Sequence, residues 1–170
     1  MLKQLSALLY QINDNVYVPM SLLALAGHVS LGVCLQLVAA PESTPVFVPT
    51  QEFTLAWNHS IEKVRWEEDY VIQLDAKQQP ALIAQAARIK GSAAGMEPPE
   101  GAMLKAGWYH YKPLVEEHPQ LYLTRSEFVP DYEWCDEHGC RSLADFLSSD
   151  GGVTLMWACT EETTLIDRES

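Results

Sequence analysis

Positive charge is what this chain has least of. Its 170 residues carry 11 lysines and arginines against 23 aspartates and glutamates, a formal net charge of −12. General binding to nucleic acid or to an anionic membrane needs clustered cations that displace counterions. The sequence is therefore read as having no direct nucleic-acid partner and no membrane partner. Phosphate and nucleotide fingerprints are missing too: there is no G-x-x-x-x-G-K, no G-x-G-x-x-G and no G-x-S-x-G. Cysteine is sparse, with four in the whole chain, which excludes a small disulfide-stapled scaffold. No internal repeat and no low-complexity tract is present.

A long apolar segment is nearly present, and its interruptions are informative. From Val16 to Ala40 there is no charged residue, but Pro19, Gly27, His28, Ser30 and Gln36 break the run. Its second half alternates as a strand does, and a lone strand cannot cross lipid with its backbone unsatisfied. The first residues, MLKQLSALLYQIND, lack a continuous apolar stretch followed by a small-residue cleavage site. A cytoplasmic protein with reduced thiols is the expectation, with Cys34 and Cys159 as small buried hydrophobes.

At 48% hydrophobic residues, the chain can bury a core. The stretch that organises it is His28 to Val38, HVSLGVCLQLV. Val29, Leu31, Val33, Leu35 and Leu37 alternate with smaller or polar residues, placing the aliphatic side chains on one face. Similar alternation predicts strands over 53–57, 62–74, 107–111 and 153–160, with the acidic triplet Glu67, Glu68 and Asp69 as a turn inside the third. Helical spacing predicts helices over 2–12, 80–90 and 142–149. The segment 91–102, rich in Gly, Pro and Ala, reads as a flexible loop. The expected fold is α+β: one compact domain with a mainly antiparallel sheet and about three helices packed on it.

The acidity is unevenly placed. Residues 1–112 hold 8 basic and 10 acidic side chains; residues 113–170 hold 3 and 13. Within the last third, Glu116, Glu117, Asp131, Glu133, Asp136 and Glu137 are interleaved with Tyr132 and Trp134. Carboxylates around aromatic anchors are what a surface needs to capture a basic protein partner, charge steering the encounter and aromatics anchoring it. These eight residues are the candidate partner-binding surface of a non-catalytic binding or inhibitor protein. In general character only, a small acidic chain without motifs resembles bacterial immunity proteins and antitoxins that plug basic nuclease toxins. No motif carries that resemblance.

Two other functions compete. Cys135, His138 and Cys140, within DYEWCDEHGCRS, hold the residue types that zinc prefers, or that a cysteine-dependent enzyme uses. Their spacing is not that of a standard zinc pair, and the surrounding carboxylates oppose thiolate formation. A disulfide between Cys135 and Cys140 is equally conceivable. The third reading is a structural subunit of a larger assembly. No catalytic residue and no cofactor is assigned.

Overall fold

The computed structural model describes residues 28–61, 63–91 and 100–163. Contacts divide the chain into Val29–Glu161 and a second unit of Met1–His28 with Glu162–Ser170; the architecture is that of the first. The helix expected over 2–12, residues 16–27 of the apolar stretch and most of the loop 91–102 lie outside the described residues.

Twelve strands and one turn of 3₁₀ helix make up the regular structure among the described residues. The α+β expectation is thus corrected: the described residues are nearly all β, in antiparallel sheets, with no α-helix among them. In order the strands are β1 (His28–Leu37), β2 (Val46–Pro49), β3 (Glu52–Asn58), β4 (Arg65–Leu74), β5 (Pro80–Lys90) and β6 (Met103–Lys105). They continue with β7 (Trp108–Tyr111), β8 (Glu117–His118), β9 (Leu121–Thr124), β10 (Glu133–Asp136), β11 (Gly139–Ser142) and β12 (Val153–Thr163). A four-stranded sheet runs β2-β1-β12-β9, and an eight-stranded sheet runs β11-β10-β3-β4-β5-β7-β6, with β8 added to β5.

The expected helix over 80–90 is strand β5, and the reason lies in one residue. Asp69 pairs with Ala86 but Tyr70 pairs with Ala84, so Gln85 is an extra residue in the ladder. The bulge shifts the alternation by one: Leu82 and Ala84 before it and Ala87 and Ile89 after it are buried, with Ala81 buried beside them. The helical reading rests instead on Leu82, Ile83, Ala86 and Ile89, whose spacing imitates one face of a helix. Tertiary pairing with β4 and β7 then overrides the helical propensity of the alanines. The helix expected over 142–149 shrinks to one 3₁₀ turn, Leu143–Asp145, with Ser142 accepting from the Ala144 N–H. The acidic triplet is no turn either; β4 passes straight through it.

One core joins the two sheets. Val33 and Leu35 from β1, Val48 from β2, Leu123 from β9 and Met156 from β12 meet Phe53, Leu55, Tyr70, Ile72, Leu82 and Trp134 from the larger sheet. Trp134 is 1% exposed, and its ring stacks on Phe53 with centroids 3.9 Å apart. Arg125 is also buried; it donates to Asp131 through two nitrogens, at 2.8 and 2.6 Å, and to Leu147 O and Thr154 Oγ1. Its charge is thereby paired and its donors largely satisfied.

All four cysteines are bonded: Cys34 to Cys159 and Cys135 to Cys140. Cys34 and Cys159 are therefore not free buried hydrophobes but a link between neighbouring strands of the smaller sheet.

At Gly32 the backbone of β2 and the Phe47 ring lie close against β1. A Cβ there would stand 2.3 Å from the Val48 carbonyl oxygen and 2.7 Å from the Phe47 ring. Gly32→Ala is expected to destabilise the fold by about 1–3 kcal/mol, because the strands must separate to admit the methyl group. Urea unfolding checks this; an unchanged midpoint would show that β2 does not pack as described.

Candidate functional site

The eight acidic and aromatic residues singled out from the sequence do not share one free surface. Glu116 and Glu117 are exposed at β8, separated from β10 in the sheet by β3, β4 and β5; Glu116 is paired with Lys112 at 2.7 Å. Asp131 holds Arg125. Burial would raise the Asp131 pKa, but hydrogen bonds and charge from Arg125, with the Tyr132 N–H and Ser142 hydroxyl, hold it below the ordinary carboxylate value. Glu133 pairs with Arg65 at 2.5 Å. Asp136 accepts from the His138 N–H, from Trp134 Nε1 and from Arg141, and so shapes the β10–β11 hairpin. Trp134 is core. Glu137, at the hairpin tip, is exposed with its carboxylate 3.6 Å from His138 Nε2, and the half-buried Tyr132 packs against the core.

Cys135 and Cys140 face each other across that hairpin, with Cα atoms 4.0 Å apart. Ligand atoms of Glu133, Cys135 and Cys140 lie within 4.8 Å of one another, but the two sulfurs are bonded to each other and offer no thiolates. His138 is outside that group.

An open groove of about 960 Å³ runs along the outer face of the larger sheet, lined among others by Thr54, Asp69, Arg88, Cys135, His138 and Arg141. Most of its charges are already matched. Glu67 accepts from Arg65 at 2.6 Å and from Arg88 at 2.5 Å, Asp69 accepts from Arg88 and Thr54 at 2.6 Å each, and Asp136 accepts from Arg141.

The opposite, inner face of β4 carries a carboxylate of a different kind. Alternation along β4 sends Arg65, Glu67 and Asp69 outward and Trp66, Glu68, Tyr70 and Ile72 inward. Glu68 is half-buried. It accepts a hydrogen bond from the Tyr70 hydroxyl at 2.5 Å, and among the described residues it makes no ion pair within 4 Å. Burial raises the Tyr70, Tyr111 and Tyr132 phenol pKa values, and the nearby Glu68 charge raises each further, with Asp131 also acting on Tyr132.

Tryptophans complete the surroundings. Trp57 lies opposite Trp66 in the β3–β4 ladder, one pair from the Leu55–Glu68 pair on the same face. Its ring is 6.0 Å from Trp66 and 5.9 Å from Tyr132, between centroids. His59 stacks on Trp66 at 5.2 Å. The Trp66 indole N–H is the one buried side-chain polar atom without a hydrogen-bond partner among the described residues. Trp57, Trp66, Tyr111 and Tyr132 are all half-buried, so the cluster keeps an accessible edge.

Sequence reasoning missed this arrangement by reading the acidic triplet as a turn. The signal was there: Trp66, Glu68, Tyr70 and Ile72 keep period two straight through it.

Among the described residues no helix is long and apolar enough to cross a membrane. Comparison with curated proteins and with solved structures finds no match. The family model described as a domain of unknown function (DUF1850) matches residues 53–143, more than half of the chain, from within β3 into the 3₁₀ turn after β11. That span holds Glu68, its aromatic neighbours and the Cys135–Cys140 hairpin, and the chain belongs to this family.

Proposed function

We propose that the protein is a non-catalytic binding protein that accepts an organic cation, an ammonium or guanidinium group, at Glu68. The observation that carries this reading is a half-buried carboxylate on the inner face of a sheet that accepts from the Tyr70 hydroxyl, shares its face with Trp66, lies near enough to Tyr111 and Tyr132 for its charge to raise their pKa values, and lacks a cationic partner among the described residues. A charge held partly out of water needs a counter-charge. Aromatic faces reject a second anion and favour a cation, by about 0.5–2 kcal/mol per ring. The Trp66 N–H, without a partner among the described residues, would serve an acceptor on the same ligand. The net charge of −12 steers cations toward the molecule as a whole. The basic partner expected from composition is kept, and its point of capture moves from the acidic last third to β4.

Two disulfides favour an oxidising compartment over the reducing cytoplasm expected from the sequence. All four cysteines are bonded, so the cysteine-dependent and zinc alternatives would first require the Cys135–Cys140 bond to open.

The test is tryptophan fluorescence during titration with tetramethylammonium and with a lysine-rich peptide, using tert-butanol as the neutral control. Saturable quenching by a cation, weakened at least tenfold (~1.4 kcal/mol) in Glu68→Gln, is expected. The peptide arm tells whether a protein side chain reaches the site. No saturable change with either cation, or equal binding by Glu68→Gln, would end the proposal.

A further inference from the structure

We infer that the Cys135–Cys140 bond is a thiol–disulfide exchange site, opened by an external dithiol while the Cys34–Cys159 bond stays closed. The inference is independent of Glu68.

Access, geometry and electrostatics differ between the two bonds. Cys140 is exposed on β11, whereas Cys34, Cys159 and Cys135 are each only partly exposed. The Cys135–Cys140 pair sits beside a turn whose Glu137 and His138 side chains are 86% and 79% exposed, so among the described residues no element overlies that turn. Cys135 also forms part of the wall of the open outer groove. The Arg65 guanidinium touches Cys135, with Nη2 4.0 Å from Sγ. A cation in contact with one sulfur makes that sulfur the better leaving group.

The step follows from this asymmetry. A thiolate of the dithiol attacks Cys140 Sγ. The Cys135–Cys140 bond breaks as the new sulfur–sulfur bond forms, and the electron pair leaves on Cys135 as a thiolate beside Arg65. The second thiol of the reductant, deprotonated, then attacks its own sulfur in the mixed disulfide and releases Cys140 as a thiolate. Two electrons and two protons pass in all from the dithiol, which becomes a disulfide, to the two cysteines.

The fold tolerates this opening. The β10–β11 ladder and the β10–β3 ladder hold the hairpin through backbone pairing, and the bond closes a span of only five residues, against 125 for the other. The shorter span constrains the unfolded chain far less.

The experiment treats the full-length oxidised protein with dithiothreitol at neutral pH, traps thiols with iodoacetamide at intervals, and reads each cysteine by peptide mass. Cys135 and Cys140 should be trapped at least tenfold faster than Cys34 and Cys159, with circular dichroism unchanged. Arg65→Gln should slow that opening several-fold, and Arg65→Lys should restore it. Glu133→Gln should accelerate it, because Glu133 otherwise opposes the thiolate through its pairing with Arg65 at 2.5 Å. Simultaneous opening of both bonds, prior opening of Cys34–Cys159, or rates indifferent to Arg65 and Glu133 would overturn the inference. The wild-type comparison alone decides the first two outcomes, whatever the variants do to folding.

Discussion

Asp131→Ala is expected to destabilise the protein by about 3–5 kcal/mol, more than removal of any exposed carboxylate of the last third. The Arg125 side chain is 1% exposed and Asp131 is its only ion-pair partner among the described residues. Without Asp131 a guanidinium remains in the core with its charge unbalanced, held only by Leu147 O and Thr154 Oγ1. Arg125→Met in the same background should recover part of the loss, because the buried charge goes with it. The pair also sets a pH response. The Asp131 pKa is depressed in the folded state. Its contribution is therefore complete above the unfolded carboxylate value, near ~3.9, and is lost as pH falls through the lower folded value. Urea midpoints across that range should fall for the wild type and vary less for Asp131→Ala. A loss under about 1 kcal/mol, of the size measured for exposed pairs, would show that Arg125 is solvated.

Removing the Cys34–Cys159 bond is the second large effect. The bond spans 125 residues and joins β1 to β12, the two inner strands of the four-stranded sheet. Chain-entropy reasoning gives about 3–5 kcal/mol for a loop of that size and about 2 kcal/mol for the five-residue span of Cys135–Cys140. The double serine variant at Cys34 and Cys159 should therefore unfold at clearly lower urea than the one at Cys135 and Cys140. Equal losses, or the reverse order, would contradict the assignment of the first bond to structure and the second to exchange.

What the sequence discloses follows from how far each element depends on its neighbours. β1 was legible because Val29, Leu31, Val33, Leu35 and Leu37 alternate without interruption, and Val33 and Leu35 are indeed fully buried. The strand from 153 was legible by the same alternation, but its inward face was not: Thr154 and Met156 are buried, while Val153, Leu155, Trp157 and Cys159 are only half-buried. β5 was not, because the bulge at Gln85 breaks the alternation that identifies a strand, and its presence depends on pairing with β4. The β10–β11 hairpin was missed because strands of four residues around a polar turn carry little periodic signal. The same blindness hid the site. Three adjacent acids look alike in a sequence, yet the pleat turns Glu67 and Asp69 toward arginines and Glu68 toward aromatic rings. Acidic density in the last third did not translate into a free surface, because Arg65, Arg125 and Arg141 meet Glu133, Asp131 and Asp136.

The central claim is that the inner face around Glu68 receives a cation. The most direct measurement follows the five tryptophan indole N–H resonances by NMR as tetramethylammonium is added to the wild-type protein. The account predicts saturable shifts for Trp57 and Trp66, none for Trp134 in the core, and none at all in Glu68→Gln. Unmoved Trp57 and Trp66 signals, or shifts confined to the β10–β11 hairpin, would contradict it.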